Sequence, residues 1–157
     1  MTIFDLPHVA DAARDRIAAA GLSDRCEVVG GDAFVAVPAG ADAYVLKGVI
    51  HDWEDKEAVA ILRTCRAAMS EGSKLLLIER ILPEQIDPDD ALTRAKFIHD
   101  INMMVNPGGR ERTEAEFHNL ACAGGPTSHS RHFHANSSGG DGDRSALALA
   151  WVTVTVF

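Results

Sequence analysis

AYVLKGVI at 43–50 is the stretch that decides the fold. Eight residues almost continuous in apolar side chains describe a strand buried on both faces, and such strands belong to parallel sheets covered by helices. Reading outward, Ala58, Ile61, Leu62, Cys65 and Met69 recur at helical spacing ahead of Gly72, and KLLLIERI at 74–81 forms another apolar strand. Upstream, a strand over 2–5 starts abruptly and closes at Asp5. Pro7 suits a first helical turn, Val9, Ala13 and Ile17 keep a four-residue spacing, and Gly21 stops a helix over 8–20 before a strand at 26–29. Strand, helix, strand, strand, helix, strand predicts the doubly wound α/β class with a parallel sheet. A polar link at 83–90 leads to a helix over 91–105, and Thr113 with Glu116 makes a capping-box pattern opening one more helix to about Ala123.

The bulk composition narrows the function classes. With 157 residues, 46% hydrophobic and 24% charged, the chain has the makeup of a folded unit with a core rather than of a disordered segment. A formal net charge of −8, with Lys and Arg scattered, leaves no electrostatic footprint for nucleic acid and points to small-molecule chemistry. No apolar run approaches the roughly 18 residues of a membrane-spanning helix, so no membrane partner is expected. Three well-separated cysteines, Cys26, Cys65 and Cys122, read as reduced thiols, and a cytoplasmic location is expected. The folded domain is expected over 1–123. Residues 124–145 hold one large apolar side chain, Phe133, and no period, so 124–157 reads as a poorly ordered tail, although ALALAWVTVTVF at 146–157 has the composition of a strand.

Five phrases fall at or just after strand ends: FDLPHV (4–9), VGGDAF (29–34), LKGVIHDW (46–53), IERILPE (78–84) and GGRERTEAEF (108–117). Taken singly, each has a plain structural reading. Asp5 caps the helix before Pro7, Asp32 closes a Gly-Asp turn, Lys47 snorkels from a strand end, His51-Asp52 is a structural pair, and Glu79 and Glu111 are solvated. Together, in this order and with these gaps, they resemble the S-adenosylmethionine-dependent O-methyltransferases of the plant caffeate and bacterial polyketide types, over roughly residues 3–120. The resemblance implies a Rossmann-like fold and methyl transfer from S-adenosyl-L-methionine to a phenolic or enolic hydroxyl of a small aromatic or polyketide-like molecule. It makes His51 the general base, with Glu79 and Glu111 as the carboxylates that orient it and favour its protonated form. It assigns Asp5 to the cofactor's ribose, Asp32 and Phe34 to its adenine, and Lys47 to the neighbourhood of its methionine portion. By the same resemblance Met103, Met104 and Asn106 line the acceptor pocket, with core filling as the competing reading of the methionines.

Relatives of this type carry an N-terminal helical dimerisation domain, are usually homodimeric, and then present a first strand with a glycine-rich loop. This sequence shows neither feature and no G-x-G-x-x-G element. The expectation is a partial doubly wound domain with a slot between the strands at 2–5 and 43–50, and an impaired enzyme. The alternative is an inactive remnant, or a non-catalytic module that pairs with a separately encoded N-terminal half. Relatives also continue past 124 with two antiparallel strands, which this chain is expected to lack. Codons for 129–136, read one base later, can spell a string resembling the missing strand, so a shifted reading frame near Gly124 is expected. Two further patterns carry less weight. His51-Asp52 and His99-Asp100 suggest a metal phosphohydrolase, but its ligands belong on helices and His51 ends a strand; His129, His132 and His134 lack the Cys partners and scaffold of a zinc site, so no metal is expected.

Overall fold

The computed structural model describes residues 1–125, 131–134 and 153–156. β1 (Thr2–Asp5), α1 (Pro7–Ala19) and β2 (Glu27–Gly30) form a parallel strand–helix–strand unit, with Thr2 level with Glu27 and Asp5 level with Gly30. α1 opens on Pro7, whose fixed φ and missing N–H are tolerated in a first turn. β3 (Ala43–Lys47) and β4 (Lys74–Glu79), connected through α2 (Asp55–Ala68), form a second parallel unit with Val45 opposite Leu76. The short β5 (Ile81–Leu82) precedes α3 (Ala91–Val105) and pairs in parallel with β6 (Arg112–Thr113), from which α4 (Glu114–Gly124) starts directly.

The core lies between the second unit and α4. α2 turns Ala58, Ile61, Leu62 and Cys65 inward, where they join Leu46, Leu75 and Leu77 of the strands and Phe117, Leu120 and Ala121 of α4. Each large apolar side chain buried this way contributes about 1.5–3 kcal/mol. Asp55 and Glu57 in the first turn of α2 and Arg66 in its last match the helix dipole. The capping box at α4 forms as the sequence predicts: Thr113 Oγ1 accepts from the Glu116 amide, and the Glu116 carboxylate accepts from the Thr113 amide at 2.8 Å. On β4 the buried positions alternate, Leu75, Leu77, Glu79, so the two-residue period that builds the core also sets a carboxylate at the strand's carboxyl end, only 3% exposed.

Three expectations are corrected. The strand read over 43–50 ends at Lys47, because Gly48 takes φ +59° and Ile50–Asp52 winds into a 3₁₀ turn. The strand read over 74–81 stops at Glu79, and beyond Arg80 the chain runs along β6 instead. The two antiparallel strands expected to be lacking are present: β7 (Arg131–His134) and β8 (Thr153–Val156) pair antiparallel, and β8 lies antiparallel to β4, with Leu76 opposite Val156 and Glu79 opposite Thr153. TVTV is a run of β-branched residues suited to a pleated surface, whereas RHFH carries no strand period and by sequence alone reads as loop. What remains of the poorly ordered tail, 126–130, 135–152 and 157, lies outside the described residues, as does His129 of the zinc trio.

The doubly wound α/β reading stands, in two pieces. Strands run β3-β4-β8-β7 in one sheet, while β1-β2 is a separate pair, and among the described residues no ladder joins β1 to β3, where the sequence places a slot. Among the described residues no helix is long and apolar enough to cross a membrane.

Candidate active site

The 3₁₀ turn after β3 is built around Glu79. Its Oε1 accepts from the Val49 amide at 3.0 Å and the Ile50 amide at 2.8 Å, satisfying two donors that the end of the strand leaves without partners. The next residue, His51, projects a side chain that is 14% exposed. Its Nδ1 is 3.1 Å from Glu111 Oε1 and 3.7 Å from Glu79 Oε2, and its Nε2 is 3.5 Å from Asp52 Oδ1. An ionised carboxylate can only accept, so Nδ1 carries the proton in neutral His51 and Nε2 keeps its lone pair. This tautomer is assigned from the hydrogen-bond network.

The electrostatics follow from that packing. The Glu111 hydrogen bond raises the His51 pKa above its ordinary value, burial opposes it, and the charges of Glu79, Glu111 and Asp52 add to the rise. Burial raises the Glu79 pKa as well, against the His51 charge and the Ile50 and Val49 amides. Glu79 Oε2 and Glu111 Oε2 are buried without a hydrogen-bond partner among the described residues. The pocket therefore favours positive charge on the imidazole.

A loop clamps the turn from outside. The Arg110 amide donates to the His51 carbonyl at 2.9 Å, and the Glu111 amide donates to Asp100 Oδ1 at 2.8 Å. A Cβ at Gly109 would overlap the His51 carbonyl and the backbone of Asp52 and Trp53, so only glycine allows this approach. Arg112 is fully buried. Its Nη1 donates to the Ile50 carbonyl at 3.1 Å, its Nη2 to the Trp53 carbonyl at 2.8 Å, and Nε and Nη2 both reach Asp55 Oδ1, at 3.0 and 2.8 Å. Sequence reasoning singled out neither Arg112 nor Gly109, and weighed Asp100 only in the His99-Asp100 metal pattern. The one available signal was the GGRER phrase itself, whose glycines and arginines flank Glu111.

The residues assigned to a cofactor lie at the ends of β1, β2 and β3. The Gly31 amide donates to the Asp5 carbonyl at 2.9 Å, tying the ends of β1 and β2 together. Asp32 Oδ1 accepts from the Phe34 amide at 2.8 Å, as its turn reading requires, whereas Asp5 Oδ1 accepts from the Leu6 amide at 2.7 Å and does not cap α1, whose N-cap is Leu6 with no side-chain cap. Each keeps a second carboxylate oxygen, and both side chains are exposed. Phe34, 37% exposed, meets the Trp53 ring edge-on with centroids 4.7 Å apart. Lys47 is exposed at the end of β3, as a snorkelling lysine would be. On α3, Met103 is half-buried while Met104 is 65% exposed, which removes core filling as an account of the latter. Asn106 caps α3, its side-chain amide donating to the Asn102 carbonyl at 3.2 Å.

Comparison with known proteins follows this geometry. Residues 1–126 match the O-methyltransferase domain family. A phenazine O-methyltransferase of Lysobacter antibioticus is 48% identical over 123 residues, 78% of this chain and 35% of the relative. Caffeic acid 3-O-methyltransferase 1 of Ocimum basilicum is 44% identical over 124 residues, 78% of this chain and 32% of the relative. The chain thus spans about a third of the length of these curated relatives. Among solved structures, an O-methyltransferase of neocarzinostatin biosynthesis in complex with S-adenosylmethionine and 2-hydroxy-5-methyl naphthoic acid superposes with a TM-score of 0.74 at 34% identity, over 99% of this chain and 40% of that one.

Proposed function

The chain belongs to the O-methyltransferase domain family, and from that premise we propose that it supplies the base and the adenosine-binding edge of an S-adenosylmethionine-dependent O-methyltransferase acting on a phenolic or enolic hydroxyl of a small aromatic molecule. The observation that carries this reading is His51 Nδ1 at 3.1 Å from Glu111 Oε1, which leaves Nε2 as the acceptor. His51 Nε2 takes the proton of the acceptor hydroxyl as its oxygen attacks, and Glu111 and Glu79, already in place, stabilise the imidazolium. The cofactor, when bound, supplies a methyl group on a sulfonium, whose thioether leaves without needing an acid.

Asp5 and Asp32 fit the adenosine end: each has an unused carboxylate oxygen, one for a ribose diol and one for an adenine amine, with the exposed Phe34 ring beside them. Lys47 is assigned to the methionine end, and Met103, Met104 and Asn106 to the acceptor. A cytoplasmic location belongs to the same proposal.

The test is labelled methyl transfer to a panel of phenols and naphthoic acids, by the chain alone and by the chain fused behind the N-terminal segment of the Lysobacter relative. His51→Ala is expected to cut turnover by about 10²–10⁴-fold while cofactor binding, read by calorimetry, stays unchanged. Turnover unaffected by the substitution would remove His51 from the mechanism. A second reading, non-catalytic pairing with a separately supplied strand, is favoured by the unjoined β1 and β3 edges among the described residues. Activity that appears only on mixing with such a segment would support it.

A further inference from the structure

The Glu111 carboxylate faces two imidazoles. His99 of α3 places Nδ1 2.8 Å from Glu111 Oε1, the same oxygen that His51 Nδ1 approaches at 3.1 Å. The His99 contact lies off the line of a hydrogen bond, since its Nδ1 has no hydrogen-bond partner among the described residues, so its effect on the carboxylate is electrostatic more than directional. On the far side of the ring, Arg80 contacts His99 Nε2. A guanidinium can only donate, so Nε2 must accept and the proton of neutral His99 sits on Nδ1, facing Glu111. The two rings are stacked with centroids 6.0 Å apart and planes 27° from parallel.

We propose that His99, its tautomer fixed by Arg80, is a positioning residue that holds Glu111 between two imidazoles and so limits how strongly Glu111 charges His51. This deepens the reading of His51 as the base and rests on it. The charged and titratable groups around His51 are Asp52 beside it, Glu79 from β4, Glu111 from the loop before β6, and His99 with Arg80 behind it. The three carboxylates favour the imidazolium; burial opposes it, and of the charged and titratable groups named here the His99–Arg80 side does so too. A carboxylate that already faces a second N–H dipole across 2.8 Å draws the first imidazole less strongly, and a second positive ring at stacking distance is disfavoured. The imidazole is thereby charged less strongly than its three carboxylates would charge it without His99.

The experiment is an NMR pH titration of the ¹⁵N-histidine-labelled chain, which reports the pKa and tautomer of His51 without any methyl transfer. In His99→Phe the competing donor is gone, and the His51 pKa is expected to rise by about half a unit or more. His99→Asn, which keeps an N–H near the position of Nδ1, is expected to stay close to wild type. Arg80→Ala frees the His99 tautomer and is expected to raise His51 by a smaller amount. An unchanged or lowered His51 pKa in His99→Phe, or equal shifts in the Phe and Asn variants, would overturn the proposal. Should His99→Phe fail to give a folded amide spectrum, Arg80→Ala decides alone, and no change there is the overturning result. Absence of methyl transfer in any form of the chain would count against the function and leave this coupling intact; an unmoved titration would do the reverse.

Discussion

The ends of β3 and β4 and the ends of β1 and β2 are two edges of one α/β design, built by opposite means. At the first, each member of the His51–Glu79–Glu111 cluster is held by backbone: Glu79 by the Val49 and Ile50 amides, His51 through its carbonyl on the Arg110 amide, Glu111 through its amide on Asp100. At the second, the Asp5 and Asp32 carboxylates are exposed and each accepts from one local amide, leaving its other oxygen to solvent. On the proposed function, the difference separates two needs. Proton transfer wants groups fixed before the reaction in a dry pocket, where their charges act strongly. Recognition of a polar ligand wants carboxylate oxygens in water until the ligand replaces it.

The hardest blow to this contrast falls on the clamp. Arg112→Ala removes the buried guanidinium that ties the Ile50 and Trp53 carbonyls to Asp55 of α2, takes a donor from each carbonyl and leaves a void in its place. It is expected to destabilise the chain by about 3 kcal/mol, seen as a large drop in Tm. A drop no larger than that of an exposed arginine would mean that the turn is not held by the clamp. Weaker, and of another kind, is Asp5→Ala. S-adenosylhomocysteine binding in the fused chain is expected to weaken about tenfold, or ~1.4 kcal/mol, with stability within about 0.5 kcal/mol of the parent. Equal losses in Tm at both positions would erase the distinction between the edges.

The smallest effect is a slope against pH. His51 has a raised folded pKa, so its stabilisation is complete below the unfolded value of about 6.5 and is lost as pH rises through the folded value. Glu79 is also raised, so its contribution is fullest below the unfolded carboxylate value of about 4.3 and likewise declines as pH rises through the folded one. Both groups act in the same direction. Tm is expected to fall gently from mildly acid to mildly alkaline pH, with a shallower slope in Glu79→Gln; a slope of opposite sign would show that other groups dominate. On the proposed function, labelled methyl transfer by the fused chain is expected to rise with pH as His51 loses its proton and then level off, and a flat profile would speak against His51 as the base.

The sequence exposed what depends on period and on short local rules. β1, α3 and the α4 capping box lie where apolar spacing and the Thr113–Glu116 pattern put them. It hid what depends on a single backbone angle or on distant pairing. Nothing in VLKGVIH says that Gly48 takes φ +59° and ends the strand three residues early. RHFH has no period of two, so β7 becomes a strand only because β8 runs beside it. The site divides along the same line. The phrases at strand ends hold His51, Glu79 and Glu111, which the fold brings together, whereas the burial of Arg112 and the approach of His99 to Glu111 arise from α3 and the Gly109 loop folding over the turn, a long-range event without local composition.

Glu79 gives one oxygen to the backbone of the turn and turns the other toward the imidazole. For a lineage under mutation these duties cannot drift apart. Shortening the side chain to aspartate withdraws the anchor and the counter-charge in one step, so, with His51 as the proposed base, selection for a weaker or stronger base has little freedom at position 79. Adaptation of the base is channelled toward neighbours with a single duty, first the α3 face that carries His99. Position 79 becomes a fixed point around which acceptor preference can diversify.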